Sequence, residues 1–201
     1  MSYTNSDCLR ARQDFPSLER EIAGHPIAFL DGPGGTQVPN SVLDAIRAAY
    51  IERNANFEGQ FATSREVGAA LASARNAVAD LLGAFSGSEI SFGANMTTLN
   101  FSLSRALGRS LKPGDEIVIT ELDHEANRGP WLSLREHGVV VREVRMTAAG
   151  HLDKEDFERQ VSPRTRIVAM GLASNALGTV TPLTEARRVC DNVNALLVVD
   201  A

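Results

Sequence analysis

Lysine is nearly absent. Among 20 basic residues in the 201-residue chain only Lys112 and Lys154 carry an ε-amine, and the rest are arginines. Cysteine is equally scarce. Cys8 and Cys190 lie far apart and form no CxxC pair, which excludes a disulfide scaffold and a cysteine-rich zinc site. There is no excess of positive charge: 25 acidic residues leave the chain at -5, without the basic stripe that a nucleic-acid surface requires. No run approaches the ~20 apolar residues of a membrane helix. Met1 to Arg12 has no apolar core of the kind a secretory leader carries, so the expected location is the cytoplasm. The glycine fingerprint of dinucleotide folds, the phosphate loop of nucleotide hydrolases and the G-x-S-x-G elbow are all missing. His124-Glu125 begins a zinc-protease helix motif, but Arg128 stands where the second histidine belongs. His25, His124, His137 and His151 show no shared metal spacing.

What remains is a soluble globular chain with 43% hydrophobic residues, sufficient for a real core. Short apolar runs alternate with helix-period segments. Helices are predicted over Ser41–Ile51, Glu66–Leu82 with Gly83 as its stop, Thr97–Leu107, Asn127–Glu136, Asp153–Gln160 and Pro182–Asn194. Strands are predicted at Glu89–Phe92, Glu116–Thr120, Val139–Val144, Arg166–Leu172 and Leu196–Val199. Lys112-Pro113-Gly114-Asp115 reads as a turn. This alternation predicts an α/β fold, a mainly parallel mixed sheet with helices on both faces. Residues 1–65 form an N-terminal arm with loops, and residues 66–201 begin the large domain. The uniformly apolar Leu196–Val199 predicts a central, buried strand, and a chain stopping just after it reads as a truncated unit.

In an open parallel sheet, ligands bind beyond the carboxyl ends of the strands. Four polar sets fall there: Asn95, Met96, Thr97 and Thr98 at a helix start; Asp123, His124 and Asn127; Ser174 and Asn175; and Asp200. Each has an ordinary explanation alone: a cap, a surface imidazole, turn chemistry, a salt bridge. Together they match pyridoxal phosphate. A helix amino terminus binds phosphate, an imidazole lies on an aromatic ring, an amide meets a ring hydroxyl, and a carboxylate holds the pyridinium proton.

Ordered motifs from Phe29 to Ala201 resemble the class V aminotransferase family, within it the cysteine desulfurase-like group. They are Phe29-Leu30-Asp31-Gly32-Pro33-Gly34-Gly35-Thr36-Gln37, Asn54-Ala55-Asn56, Ala62-Thr63-Ser64, Ser91 to Thr98, Asp123-His124-Glu125-Ala126-Asn127 with Pro130-Trp131, Ser174 to Thr179, and Val198-Val199-Asp200-Ala201. The resemblance implies the large cofactor domain of a fold type I pyridoxal-phosphate enzyme, acting on an amino acid as a homodimer. It places Met96 and Thr97 at the cofactor phosphate, His124 on the ring, Asn175 near the ring hydroxyl, and Asp200 at the pyridinium nitrogen; His124 and Asp200 are the catalytic pair. Met96 replaces the threonine common in desulfurases, so only its backbone N–H serves the phosphate.

The family's Schiff-base lysine, mobile cysteine and substrate-carboxylate arginine belong beyond Ala201. Lys112 and Lys154 read as surface residues, and neither cysteine matches the catalytic one. The chain is therefore expected to be the N-terminal part of a desulfurase-like transferase or lyase. The alternative is a truncated, non-catalytic cofactor-binding or assembly partner. A nucleotide-binding domain lacks its glycine fingerprint. The sequence leaves open which amino acid and which reaction are involved.

Overall fold

In the computed structural model, which describes residues 4–201, the chain divides into two units, Met1–Ser91 and Phe92–Ala201. The first is mostly helical. Helix α1 (Asn5–Arg12) starts at a reciprocal cap between Thr4 and Asp7 and carries an Asp7–Arg10 ion pair. It buries no side chain, so the apolar periodicity that reveals a helix in a sequence is missing. A two-residue hairpin joins β1 (Glu21–Ile22) to β2 (His25–Pro26) through Ala23 and Gly24, both at positive φ, as a type I′ connection requires. Neither element was anticipated among the loops of residues 1–65.

Helix α2 (Asn40–Glu52) and helix α3 (Ala62–Leu82) agree with their predicted segments, and Gly83 ends α3 in the left-handed conformation at φ 70°. Helix α3 begins four residues early, where the buried Ser64 hydroxyl accepts the Gly59 N–H at 2.6 Å. The strand predicted at Glu89–Phe92 is absent. Gly87–Glu89 forms a 3-10 turn, and the extended backbone at Ile90 finds no partner strand among the described residues.

The second unit opens with α4 (Met96–Gly108), followed by β3 (Glu116–Thr120), α5 (Glu125–Leu132), β4 (Val140–Val144), α6 (Lys154–Gln160), β5 (Thr165–Gly171), α7 (Leu183–Val193) and β6 (Leu196–Asp200). The four strands form one parallel sheet in the order β4-β3-β5-β6. Successive side chains of a strand point to opposite faces, and both faces here are covered. Val118, Val168 and Met170 pack toward Phe157 of α6 and Val189 and Cys190 of α7. Ile117, Ile119 and Ala169 pack toward Trp131 of α5 and Leu134. At about 25 cal/mol per Å2 of apolar surface, these two layers are the main stabilising contribution.

Strand β6 pairs with β5 among the described residues, and Leu196 and Val199 are partly exposed there. Its apolar run reflects helices on both faces, since Leu197 joins one layer and Val198 the other. Lateral burial is a separate matter.

Helix α5 starts two residues before its predicted position because His124 caps it. Pro130 lies inside this helix and donates no N–H to the Ala126 carbonyl. The Asn100 side chain of α4 donates to that carbonyl instead, at 3.1 Å. No described helix is long and apolar enough to cross a membrane.

Candidate active site at the carboxyl edge of the sheet

Parallel strands put all their carboxyl ends on one edge, and three of the four polar sets of the second unit follow from that placement. The β3–α5 loop carries Asp123 and His124, the turn after β5 carries Ser174 and Asn175, and β6 ends at Asp200. The fourth set is the amino end of α4.

Asn95 caps α4, its side-chain oxygen accepting the Thr98 N–H at 2.8 Å. The Met96 and Thr97 N–H groups precede the first intrahelical bond, so they point out of the helix end with its positive dipole. Met96 is half-buried and Thr97 exposed.

His124 is exposed, and its Nδ1 accepts the Ala126 N–H at 3.1 Å. The Asp200 carboxyl is half-buried, and burial raises its pKa above the ordinary carboxylate range; the nearby His124 charge offsets this only in part. His124 therefore lies near enough for its charge to act on the Asp200 carboxyl. No hydrogen-bond donor reaches the Asp200 carboxylate among the described residues. Its backbone carbonyl is tied down, accepting the Leu172 N–H at 2.7 Å. Asn175 is exposed in a turn closed by the Ser174 N–H on Thr179 O and the Gly178 N–H on Ser174 O, both at 2.9 Å.

The sequence set Asp123 beside His124 without giving it a role. Its carboxylate is largely enclosed and receives the Thr120 N–H (3.1 Å) and hydroxyl (2.7 Å), the Asn127 amide (3.2 Å) and the Gly171 N–H. Burial nevertheless raises its pKa, because every one of these donors is neutral. Asn100, absent from any sequence expectation, donates to Asn127 Oδ1 at 3.0 Å. Nothing in the α4 sequence, which also carries Thr97, Thr98, Ser102, Ser104 and Arg105, singled it out.

Lys112 precedes β3 at the opposite edge, and Lys154 opens α6 after β4. Lys112 is exposed in its turn, and Lys154 is 60% exposed and paired with Glu185 at 2.6 Å. Cys8 is exposed, and Cys190 lies in the core, where burial pushes its thiol up to about 11.

A doubly covered parallel sheet with a helix amino terminus, an imidazole and a half-buried carboxylate along one edge defines an α/β protein with a polar carboxyl edge. The family model described as aminotransferase class-V matches residues 28–201, and the chain belongs to that family. It is 34% identical over 194 residues to a cysteine desulfurase of Pectobacterium atrosepticum, covering 95% of this chain and 48% of that protein. It is 35% identical over 194 residues to a cysteine desulfurase of Dickeya dadantii, covering 95% and 47%. The apo structure of a cysteine desulfurase from Thermococcus onnurineus NA1 superposes with a TM-score of 0.86 at 27% identity, covering 100% of this chain and 48% of that one. The chain spans about half the length of the relatives it matches.

Proposed function

We propose that this chain forms the phosphate, ring and pyridinium contacts of a pyridoxal-phosphate-dependent enzyme that acts on an amino acid in the manner of a cysteine desulfurase. The observation that carries this reading is Asp200. It is a half-buried carboxylate with a raised pKa and no donor of its own, beside His124 on the ligand edge of the sheet. A group in that state accepts a charged N–H well. The donor set fits pyridoxal phosphate at its other points too. The Met96 and Thr97 N–H groups and the Thr97 hydroxyl suit a phosphate dianion. The exposed His124 ring offers a flat face, and Asn175 an amide for the ring hydroxyl. Bound there, the cofactor would supply an electron sink for the substrate amine.

The residues of this chain then have distinct tasks. Asp200 keeps a proton on the ring nitrogen. His124, oriented through its Nδ1, covers the ring face and restricts water there. The amino end of α4 neutralises the phosphate. Two free thiols support a reducing, cytoplasmic setting. Large exposed apolar side chains, among them Leu30, Tyr50, Leu81 and Phe85, support assembly as a homodimer.

One observation favours a second reading, a cofactor-binding or assembly partner without catalysis of its own: Lys112 precedes β3 at the opposite edge and the Lys154 amine is paired with Glu185. Titration with pyridoxal phosphate, followed by borohydride reduction and mass spectrometry, tests both. The expected result is reversible binding that Asp200→Ala weakens, with no pyridoxyl label on Lys112 or Lys154. Binding indifferent to Asp200→Ala would refute the site. Stoichiometric label on either lysine would refute the assignment of both to the surface.

A further inference from the structure

We propose that Asn100, Asn127 and Asp123 form a positioning relay that locks the amino end of α4, the His124 loop and the carboxyl ends of β3 and β5 into one frame. The inference rests on the cofactor reading above, because these are the chain ends that carry the cofactor contacts. None of the three residues is assigned a contact with the ligand.

The geometry is continuous. The Asn100 amide spends one N–H on Asn127 Oδ1 (3.0 Å) and the other on the Ala126 carbonyl left vacant by Pro130 (3.1 Å). Both asparagines are nearly solvent-free, at 7% and 2% exposure. The Asn127 amide nitrogen then donates to Asp123 Oδ1 at 3.2 Å, so both ends of its side chain are committed and its orientation is fixed. Asp123 closes the relay on the sheet, taking Thr120 of β3 on Oδ2 and the Gly171 N–H of β5 on Oδ1. A Cβ at Gly171 would sit 3.0 Å from Asp123 Oδ1, so glycine is what admits the carboxylate to this backbone.

Each link is one residue, or one helical turn, from a cofactor contact. Met96 and Thr97 lie a turn before Asn100, His124 follows Asp123, and Gly171 pairs in register with Asp200. Buried hydrogen-bonded side-chain networks rigidify the elements they join. A site held to sub-ångström tolerance needs such support behind its contact residues. The hydrophobic layers alone do not supply it, since apolar contact is non-directional.

The test compares the wild-type chain with Asn127→Ala, Asn100→Ala and Glu116→Gln, the last breaking a buried polar network at the opposite end of β3. Residue-resolved amide hydrogen exchange is measured without ligand. Binding is then followed by titration with pyridoxal phosphate and by visible circular dichroism per bound cofactor. The relay predicts that both asparagine variants speed exchange together at Thr98 and Leu99, at Ala126 and at Gly171. The expected excess over the global change is roughly tenfold, the ratio that one lost hydrogen bond gives. It also predicts a roughly tenfold weaker affinity and an altered dichroic signal, while Glu116→Gln changes stability without either effect.

Exchange that rises uniformly, or only beside the substituted residue, would overturn the inference, as would unchanged affinity and dichroism in both variants. Should Asn127→Ala fail to fold, Asn100→Ala carries the test, because it leaves every donor to Asp123 in place. A wild-type chain that shows coupled exchange in its variants but binds no pyridoxal phosphate refutes the functional reading and leaves the relay standing as a link between the chain ends.

Discussion

Glu116→Gln should destabilise the second unit at neutral pH and lose that effect in acid. The Glu116 side chain is fully excluded from solvent at the start of β3. Its Oε1 accepts Arg142 at 2.9 Å and Arg164 at 2.9 and 3.2 Å, and its Oε2 accepts the Ser162 hydroxyl at 2.6 Å. These partners, Arg142 foremost, hold the carboxyl at about 2 instead of the ordinary 4.5. At ~1.4 kcal/mol per pH unit the ionised form stabilises the folded state by about 3 kcal/mol. The arginines are 35% and 68% exposed, so solvent screening reduces this to roughly 2 kcal/mol. A folded pKa below the unfolded one gives stability that is complete above about 4.5 and drains away as the pH falls toward 2. Urea unfolding can be followed through Trp131, the single tryptophan, buried in the same unit. At pH 7 the variant midpoint should fall by about 1 M urea. The gap between variant and wild type should close between pH 4.5 and 2, while the titrations of other carboxyls cancel in the difference. A gap of the same size at pH 2.5 and pH 7 would show that the effect is one of shape and not of charge.

Three further outcomes follow. Asp200→Asn should raise the melting temperature of the ligand-free chain at pH 7, because burial makes the ionised carboxylate a cost above its raised pKa; the same change should weaken pyridoxal phosphate binding, and a lower melting temperature would contradict the assignment. Thiol titration at pH 8 should find one reactive cysteine, Cys8, with Cys190 reacting only on unfolding, since its buried thiol titrates near 11. Gly138→Ala should cost about 1–3 kcal/mol in urea unfolding, because Gly138 has φ 79° and an added Cβ would meet Pro113 at 3.0 Å.

The parts legible in the sequence were those whose signal is local. Glu116–Thr120 and Arg166–Met170 are apolar runs between turn residues, and both are strands beneath helices. Gly83 and Asn194 mark helix ends because the left-handed conformation they adopt is sterically restricted. His124 and Asp200 were found by a topological rule: a polar residue just past a buried parallel strand lies on the ligand edge. Elements that depend on a partner were not legible. Ile90 is extended in isolation, and whether it forms a strand is decided by a neighbour its own residues do not encode. In β6, the apolar run matches coverage of both faces, with Leu197 in one layer and Val198 in the other. Asn100 and Asn127 look like surface amides until the helices meet, since nothing within α4 or α5 distinguishes a buried amide from a solvated one.

The two ends of β3 show how one residue type is driven in opposite directions. At the amino end Glu116 faces charged donors, Arg142 and Arg164, and its proton affinity falls. At the carboxyl end Asp123 faces only neutral donors, and Asp200 has His124 as the one charge acting on it, so burial wins and both affinities rise. The amino edge therefore satisfies its own charge, and its ion pairs stabilise the sheet whether or not a ligand is present. The carboxyl edge does not. Its Asp200 carboxylate accepts no hydrogen bond among the described residues and His124 offsets its burial only in part, a condition that opposes folding slightly and favours any ligand bringing a charged N–H. Because the stabilising charges lie at the other end of the strand, the site can carry this unmet electrostatic demand without unfolding the sheet that presents it. Substitutions at Asp200 should accordingly change binding far more than stability, and those at Glu116 the reverse.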